Sequence, residues 1–337
     1  MTTRRHALGQ LVLLCGVPAI AASKAQPKRI GVISEGKAPK DIEAEEARFW
    51  EQMRRRGWVL GENVLAQRTF ANWNLDHLAA QAQELVRTRV DVIICVAGQD
   101  AMVAAARATR SIPIVFYDAT VPVERGMVES FRKPGRNLTG VSIISEAEYV
   151  IKRLELLRAI APSVTRISWL WGHDTLSLSK VDGGRYDFAG SLAEVARKLQ
   201  FETRFHLFDG PVDLARAFQD ATAWGAQAIT ASGNRAFEMR QDVVQFALRH
   251  HLPSAFNSED FVQEGGLLSY GIPDSESELL LDVLVSYVNR ILRGATPANM
   301  PVVGPSRYEV TINLKTAKSL GLSIPETLIS RADKLVR

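Results

Sequence analysis

Short apolar segments alternate with amphipathic segments along residues 29–256, and this alternation constrains the fold more than any other feature of the chain. Segments such as Arg29–Ser34 and Asp91–Val96 are short and rich in Val and Ile, which is typical of buried strands. The segment Asp76–Arg87 between them carries charges at helical spacing. Strands that alternate with helices form parallel sheets covered on both faces, so an α/β protein with doubly wound parallel sheets is predicted.

The alternation runs through the chain twice, which predicts two similar lobes. Val92–Gly98 is followed by Ile112–Phe116, and Ala228–Gly233 is followed by Leu252–Phe256. In both pairs a strand ends at Gly, a helix follows, and an apolar-Pro-x-x-Phe strand comes next. Later strand and helix signals must complete one lobe or the other, so we expect the chain to cross between the lobes more than once. These later signals are Gly266–Tyr270, Glu276–Arg293 and Tyr308–Ile312.

The first 25 residues have the layout of a secretory signal peptide. Arg4 and Arg5 precede the uncharged run Ala7–Ala22, and small residues follow it. The run is too short to span a bilayer, so we expect cleavage after Ala25 or Ala21 and export to the periplasm. The sequence leaves open whether export uses the general secretory or the twin-arginine route.

Charge and cysteine content exclude several classes of function. Residues 1–25 carry three basic and no acidic residues, so their removal lowers the net charge from +4 to +1. The remaining basic residues are mixed with acids, and a nucleic-acid partner is therefore not expected. Cys95 is the one cysteine beyond the leader, which excludes an internal disulfide and Cys-x-x-Cys metal sites.

Motifs for catalysis and for cofactor binding are mostly absent from the sequence. It contains no glycine-rich phosphate loop, no G-x-S-x-G and no zinc spacing among its histidines, so no metal or cofactor is predicted. Ser177 and Lys180 match S-x-x-K, a pattern that arises easily by chance. An exported α/β hydrolase that uses Ser177 or another hydroxyl stays an alternative.

Ligands of open α/β sheets bind at the carboxyl ends of the strands, and polar and aromatic side chains follow the strands here. A ligand carboxylate could meet backbone N–H groups at a helix start after Gly36 or Gly98. Several candidates have purely structural alternatives: Asp100 as a helix cap, Tyr117 as a core residue, and Arg235 as an ion-pair partner of Glu238. The predicted ligand-binding residues are Ser34, Gln99, Asp100, Tyr117, Asp118, Ser142, Trp171, Asn234, Glu259 and Tyr270.

Six segments spread over the chain resemble the ABC-transporter solute-binding proteins, in the branch that includes tryptophan- and tyrosine-type binding proteins. They are Ile112–Phe116, Pro134–Ser142, Lys152–Leu157, Phe261–Gly271, Tyr287–Gly294 and Ile312–Leu322. The resemblance implies the type 1 periplasmic-binding fold, in which three crossings join two α/β lobes. It places Lys28–Val141 and Asn257–Gly294 in lobe 1, and Ser142–Phe256 and residues 295–337 in lobe 2.

The resemblance also implies a function: a non-enzymatic, monomeric periplasmic receptor that binds a small polar or aromatic, amino-acid-like solute between its lobes. Its partner would be the permease of an ABC transporter; a sensor that signals to a membrane kinase is an alternative. Relatives often carry Asp-Pro-Val where this chain has Val121–Val123, so Asp118 or Asp100 would have to replace the missing polar group. Thr175–Arg185 also differs from the usual pattern.

Overall fold

The computed structural model describes residues 26–337 except residues 41, 97, 121, 124, 145 and 173–187. Helices and strands alternate along the described ranges, as the hydrophobic pattern predicts. In chain order they are β1 (Lys28–Ser34), α1 (Ile42–Arg55), β2 (Val64–Phe70), α2 (Leu75–Arg87), β3 (Val92–Val96), α3 (Gln99–Ala108), β4 (Ile114–Thr120), β5 (Leu138–Ile144), α4 (Glu146–Ile160), β6 (Arg166–Gly172), α5 (Phe188–Lys198), β7 (Glu202–Phe208), α6 (Pro211–Trp224), β8 (Ala228–Ser232), α7 (Asn234–Glu238), α8 (Arg240–Arg249), β9 (Ala255–Phe256), α9 (Glu259–Gln263), β10 (Leu268–Gly271), α10 (Asp274–Leu292), a 3-10 turn (Pro297–Asn299), β11 (Glu309–Asn313), α11 (Leu314–Ser319), α12 (Glu326–Ile329) and β12 (Lys334–Val336).

The sheet of lobe 1 consists of parallel strands in the order β2-β1-β3-β4-β5. Helices cover both faces, which explains why its central strands are apolar almost throughout. On one face Ile33 packs in a core with Leu85 of α2 and Met102 of α3. On the other face Ile30 packs with residues of α1 and α10. The carboxyl ends of all five strands therefore emerge at one edge, where a ligand can reach them.

Gly140 in β5 shows why glycine is needed in the segment Pro134–Ser142. Its φ is +152°, and a Cβ at this position would collide with the backbone of Phe116 in β4. A residue with a side chain would push the two paired strands apart. The glycine therefore lets β5 pair closely with β4 at the boundary of the lobe.

The sheet of lobe 2 is built around β6, with parallel partners β7 and β8. A single bridge between Ile229 and Ser254 connects β8 to the segment that leads into β9. The sheet then continues in the order β9-β10-β11-β12, in which β10 and β11 are antiparallel. One face carries a core that includes Leu157 and Trp169, and the other carries a core around Phe256.

Strand pairing corrects two of the predicted lobe boundaries. The segment 257–294 was expected to lie wholly in lobe 1, but β10 pairs with β9 and β11 and so belongs to lobe 2. The chain enters lobe 1 after Gly271, because α10 packs against β3, β4 and β5. It stays there past the predicted limit at Gly294: Ser142 donates a backbone hydrogen bond to Val303 at 2.9 Å, and Met300 lies in the lobe 1 core. Hydrophobic pattern alone does not tell which sheet a short apolar strand will join.

The predicted doubly wound α/β architecture with two lobes is confirmed. The chain passes from lobe 1 to lobe 2 between β5 and α4, returns between Gly271 and Asp274, and leaves lobe 1 again after Val303. These crossings lie beside the edge at which the lobe 1 strands end, so the space between the lobes opens next to them.

Candidate functional site

A cavity of about 820 Å³ lies between the lobes, at the carboxyl edge of the lobe 1 sheet. Lobe 1 contributes the ends of β1, β3 and β4 together with α1 and α10, and lobe 2 contributes α7. Because both lobes line it, a ligand bound there would touch both. The described lining residues are Val32, Ser34, Gly36, Lys37, Pro39, Glu46, Arg48, Phe49, Trp50, Phe70, Trp73, Ile94, Val96, Tyr117, Asn234, Phe237, Glu238, Asp274, Ser277, Glu278, Leu281 and Leu284.

The walls of this cleft are mainly aromatic and aliphatic. Trp50, Phe70, Trp73 and Tyr117 line it from lobe 1, and Phe237 lines it from lobe 2. Its aliphatic lining comes from β1, β3 and α10, in the space that α1 and α10 leave beside the sheet. A cavity with this lining favours a solute that carries an aromatic ring or an alkyl chain.

Trp73 is held in the cleft by an unusual backbone. Asn72 and Trp73 adopt left-handed conformations with φ of 51° and 65°, which is uncommon for a bulky residue such as Trp. Backbone hydrogen bonds fix this turn: Asn72 N–H donates to the carbonyl of Gly36 at 3.0 Å, and Trp73 N–H donates to that of Glu35 at 2.7 Å. Strained backbone of this kind concentrates at functional sites, and here it directs a tryptophan into the cleft wall.

Arg235 of lobe 2 contacts Trp73 of lobe 1 across the cleft. The guanidinium of Arg235 in α7 lies over the ring of Trp73, 4.9 Å from its centroid. Arg235 also forms the expected ion pair with Glu238, at 3.7 Å. The structural alternative for Arg235 is thus correct, and the same side chain in addition connects the two lobes.

The acidic residues of the cleft wall are largely neutralised by neighbouring bases. Glu46 accepts hydrogen bonds from the guanidinium of Arg68 at 2.7–2.9 Å and from Trp50 Nε1 at 2.6 Å. Glu278 pairs with Arg48 at 2.8 Å, and both side chains are exposed. Exposed pairs of this kind contribute little to affinity, so the polar selectivity of the cleft has to come from more buried groups.

The helix N-terminus after Gly98 is already occupied, which corrects one expectation. The buried carboxylate of Glu35 accepts hydrogen bonds from the backbone N–H groups of Asp100 and of Ala101, the latter at 3.1 Å. Gly98 has a φ of +136°, and a Cβ there would collide with this carboxylate. A ligand carboxylate therefore cannot take these N–H groups, and in the described residues no helix begins directly after Gly36.

The predicted ligand-binding residues divide into two groups. Ser34, Tyr117 and Asn234 line the cleft. Gln99 is buried at the start of α3, next to the carboxyl end of β3, and its side-chain amide has no hydrogen-bond partner in the described part of the chain. Asp118 lies in β4, but its side chain and Ser177 fall outside the described residues.

The other predicted residues lie away from this cavity, each for a structural reason. Asp100 is buried and lines a separate cavity of about 160 Å³ on the α2 side of α3. Trp171 packs in the lobe 2 core, and Glu259 pairs with Lys334 at the far end of that sheet. Tyr270 stacks on Tyr149, 5.5 Å between centroids. Ser142 is buried at the first crossing.

Sequence reasoning missed Trp73, although the strand-end rule could have found it. It follows β2, the edge strand of the lobe 1 sheet, three residues after Phe70. The predicted lobe 1 residues lie at or near the ends of β1, β3 and β4, and no candidate was predicted after the edge strand β2. Trp50 and Phe237 lie on helices, and the sequence contains no signal that places them at the cleft.

The described residues contain neither a metal-ligand cluster nor a helix suited to crossing a membrane. No group of three or more His, Cys, Asp or Glu side chains is placed to hold a metal ion. Among the described helices, none combines the length and the apolar character that a membrane crossing needs.

Comparisons with known proteins agree with this architecture. A family model described as ABC transporter substrate binding protein matches residues 43–336. A tyrosine-binding protein of Clostridioides difficile (strain R20291) is 25% identical over 274 residues, which are 81% of this chain and 75% of that protein.

Solved structures share the fold at lower sequence identity. A conserved domain protein from Vibrio cholerae has a TM-score of 0.76 at 23% identity, covering 92% of this chain and 100% of the other. An ABC domain from Streptococcus pneumonia in complex with L-Trp has a TM-score of 0.71 at 22% identity, with the same coverage. A ligand-free, open substrate binding protein from Clostridium difficile has a TM-score of 0.59 at 22% identity, covering 92% and 99%.

The family match covers most of the chain, and the two-lobed fold with a cleft lined from both sides is what a solute receptor requires. The chain belongs to the ABC transporter substrate-binding protein family.

Proposed function

We propose that this protein works outside the cytoplasm as a receptor for an amino-acid-like solute with an aromatic or large apolar side chain. Residues 1–25 would direct its export and then be removed. The observation that carries the proposal is the cleft, since aromatic side chains from both lobes line one cavity. A relative named tyrosine-binding protein and a similar structure that contains L-Trp support this class of solute.

The cleft can supply the binding energy that such a receptor needs. Micromolar affinity requires about −8 kcal/mol. Burial of about 150 Å² of an aromatic side chain between Trp73, Tyr117 and Phe237 contributes about −4 kcal/mol. Hydrogen bonds and charge interactions with the polar end of the solute have to supply the rest and offset the entropy lost on binding.

Closure of the two lobes would couple binding to delivery. A solute that touches both walls stabilises the closed arrangement, because its affinity for that arrangement is higher. The closed form then presents surfaces of both lobes to a membrane partner. We propose a permease as this partner and a monomer as the acting form.

The test is a binding screen on protein freed of bound solute by unfolding and refolding. Thermal shift and calorimetry with the common L-amino acids should show stabilisation by one or more aromatic or large aliphatic members. Trp73→Ala should weaken this binding at least about tenfold. Trp58→Ala is the matched control, because Trp58 packs on lobe 1 away from the cleft and bonds Asn289.

Two results would contradict the proposal. Binding that survives unchanged in Trp73→Ala would place the solute elsewhere. Turnover of a bound compound would favour the hydrolase alternative, and its loss in Ser177→Ala would establish it. Cellular uptake of the solute that depends on this protein would distinguish a transport receptor from a sensor.

A further inference from the structure

Arg153 is a buried base with unused hydrogen-bond donors. It lies in α4 and is 1% exposed. Its Nε and Nη1 atoms are buried and have no hydrogen-bond partner among the residues that the structure describes. Burial lowers the pKa of Arg153, and a hydrogen bond to the hydroxyl of Tyr149 opposes this only in part. Among the described residues, no carboxylate adds to that opposition.

Two aromatic rings enclose the guanidinium. It lies 5.6 Å from the centroid of Tyr149 and 5.3 Å from that of Trp169. Burial raises the pKa of Tyr149, so its hydroxyl stays neutral and cannot serve as a counter-ion. Ring contacts offset part of the cost of burying the charge, but they leave the N–H groups on Nε and Nη1 unsatisfied.

Arg158, five residues further along the same helix, is an arginine whose guanidinium has hydrogen-bond acceptors from the fold. It also lies over an aromatic ring, 3.8 Å from the centroid of Phe201. Its guanidinium, however, donates hydrogen bonds to four backbone carbonyls, those of Pro162, Val164, Leu199 and Gln200. Both arginines lie in α4 and contact aromatic rings, but the fold supplies backbone acceptors to Arg158 and leaves Nε and Nη1 of Arg153 without a described partner.

The two rings beside Arg153 are bonded to the ends of lobe 2 strands. Tyr149, one turn before it, donates a hydrogen bond to the carbonyl of Asn257 at 3.1 Å, directly after β9. Trp169 donates through Nε1 to Ser232 Oγ at 3.1 Å, at the last residue of β8. Both partners stand at carboxyl ends of parallel strands, which is the edge where ligands of such sheets bind.

We propose that Arg153 binds the carboxylate of the solute, with Tyr149 and Trp169 holding the guanidinium plane in place. A carboxylate accepts two parallel N–H bonds from an arginine, and it would supply both the acceptors and the counter-charge that the fold leaves out. The proposal rests on the proposed function, and it specifies the solute as a carboxylic acid. It also assigns the polar end of the solute to lobe 2 and its apolar end to the aromatic wall of lobe 1.

The first test uses solute-free protein and needs no knowledge of the solute. Arg153→Met replaces the unsatisfied charge with an apolar chain of similar length, and its melting temperature should rise by about 2–4 °C. Arg158→Met, the matched control, should lower it, because four carbonyls lose their donor. If Arg153→Met melts lower than the wild type or fails to fold, Arg153 is a structural brace and the proposal is overturned.

The second test compares pairs of probes that differ in the carboxylate alone. The pairs are phenylalanine and phenethylamine, tyrosine and tyramine, and tryptophan and tryptamine. The acids should stabilise the wild type and the amines should not. Arg153→Met should weaken binding of the acid at least about 100-fold, Arg153→Lys should weaken it less, and Arg158→Met should leave it unchanged.

The outcomes separate this inference from the proposed function. Equal binding of an acid and its amine, or full binding by Arg153→Met, overturns the role of Arg153 and leaves the receptor intact. If no probe of either kind binds, the proposal of an amino-acid-like solute is contradicted. The melting temperatures of solute-free Arg153→Met and Arg158→Met still decide whether the buried charge of Arg153 is unsatisfied in the folded protein.

Discussion

Lobe 1 and lobe 2 each bury a charged side chain close to the ends of their strands, and they treat these two charges differently. In lobe 1 the carboxylate of Glu35 meets the backbone N–H groups that begin α3. In lobe 2 the guanidinium of Arg153 meets two aromatic rings, and its Nε and Nη1 atoms have no hydrogen-bond partner among the described residues. In lobe 1 the fold itself supplies hydrogen bonds to the buried charge, whereas lobe 2 leaves donors of its buried charge for a group from outside the chain.

The two lobes differ in which of their buried groups can still recognise a ligand. A helix N-terminus attracts anions, and the start of α3 is where a ligand carboxylate was expected. Glu35 fills that place, so the anion has to be recognised by a positive group elsewhere. Arg153 is a deeply buried positive group whose Nε and Nη1 donors have no partner among the described residues.

The largest expected effect on stability comes from removing the satisfied charge. Glu35→Ala leaves the N–H groups of Asp100 and Ala101 without an acceptor in a buried place. We expect the free energy of unfolding to fall by about 3 kcal/mol in urea denaturation. Glu62→Ala, in an exposed turn, should change it by less than about 0.5 kcal/mol. Equal stability of both variants would show that the Glu35 contacts contribute nothing net.

The reactivity of the Cys95 thiol is a second probe of the contact between Glu35 and the start of α3. Burial and then the charge of Glu35 raise its pKa, so the thiol of the folded protein stays protonated at pH 8 and should resist thiol reagents. Glu35→Ala should speed labelling about 100-fold, through the larger open population that ~3 kcal/mol produces and through a lower pKa. Unchanged labelling in that variant would contradict a link between Glu35 and the stability of lobe 1.

The raised pKa of Cys95 also has a consequence for pH dependence. The pKa of the unfolded thiol lies near its ordinary value of 9.0, while the folded thiol keeps its proton to a higher pH. Its contribution to stability is therefore complete below pH 9 and is lost as the pH rises above it. Between pH 9 and 10.5 the wild type should lose more stability than Cys95→Ala, as measured by urea denaturation at each pH.

In lobe 2, the stability changes caused by replacing Arg158 and Arg153 can be compared directly. Arg158→Met removes a donor from four carbonyls in a half-buried place, so we expect a loss of about 1.5 kcal/mol in the free energy of unfolding. Arg153→Met should shift stability in the opposite direction. Changes of the same sign in both variants would mean that the two arginines play the same structural role.

The smallest expected effect concerns the contact that links the lobes. The guanidinium of Arg235 in lobe 2 lies over the ring of Trp73 in lobe 1, in addition to its ion pair with Glu238. A double-mutant cycle with Trp73→Leu and Arg235→Met should give a coupling energy of about 0.5–1 kcal/mol in the solute-free protein. A coupling of zero would mean that the two side chains are neighbours without a stabilising interaction.

Three of the residues that line the cleft could be predicted, because strand ends are local features of the sequence. Ser34, Tyr117 and Asn234 line the cleft, as the rule that ligands bind at the carboxyl ends of strands predicts. Trp171 also stands near a strand end, yet its ring packs in the lobe 2 core. A strand end has two faces, and the rule does not say which face turns to the cleft.

The sequence by itself determined the α/β class, the two lobes and the strands at whose ends a ligand would bind, because hydrophobic period and turn residues act over a few neighbouring positions. The tertiary structure decided that β10 belongs to lobe 2, that Glu35 fills the start of α3, and that Nε and Nη1 of Arg153 have no partner among the described residues. Glu35 is separated from Asp100 by 65 residues. Arg153 is separated from its neighbour Trp169 by the end of α4 and the start of β6. Contacts at such distances along the chain depend on how the sheets and helices pack, and no local pattern of residues records them.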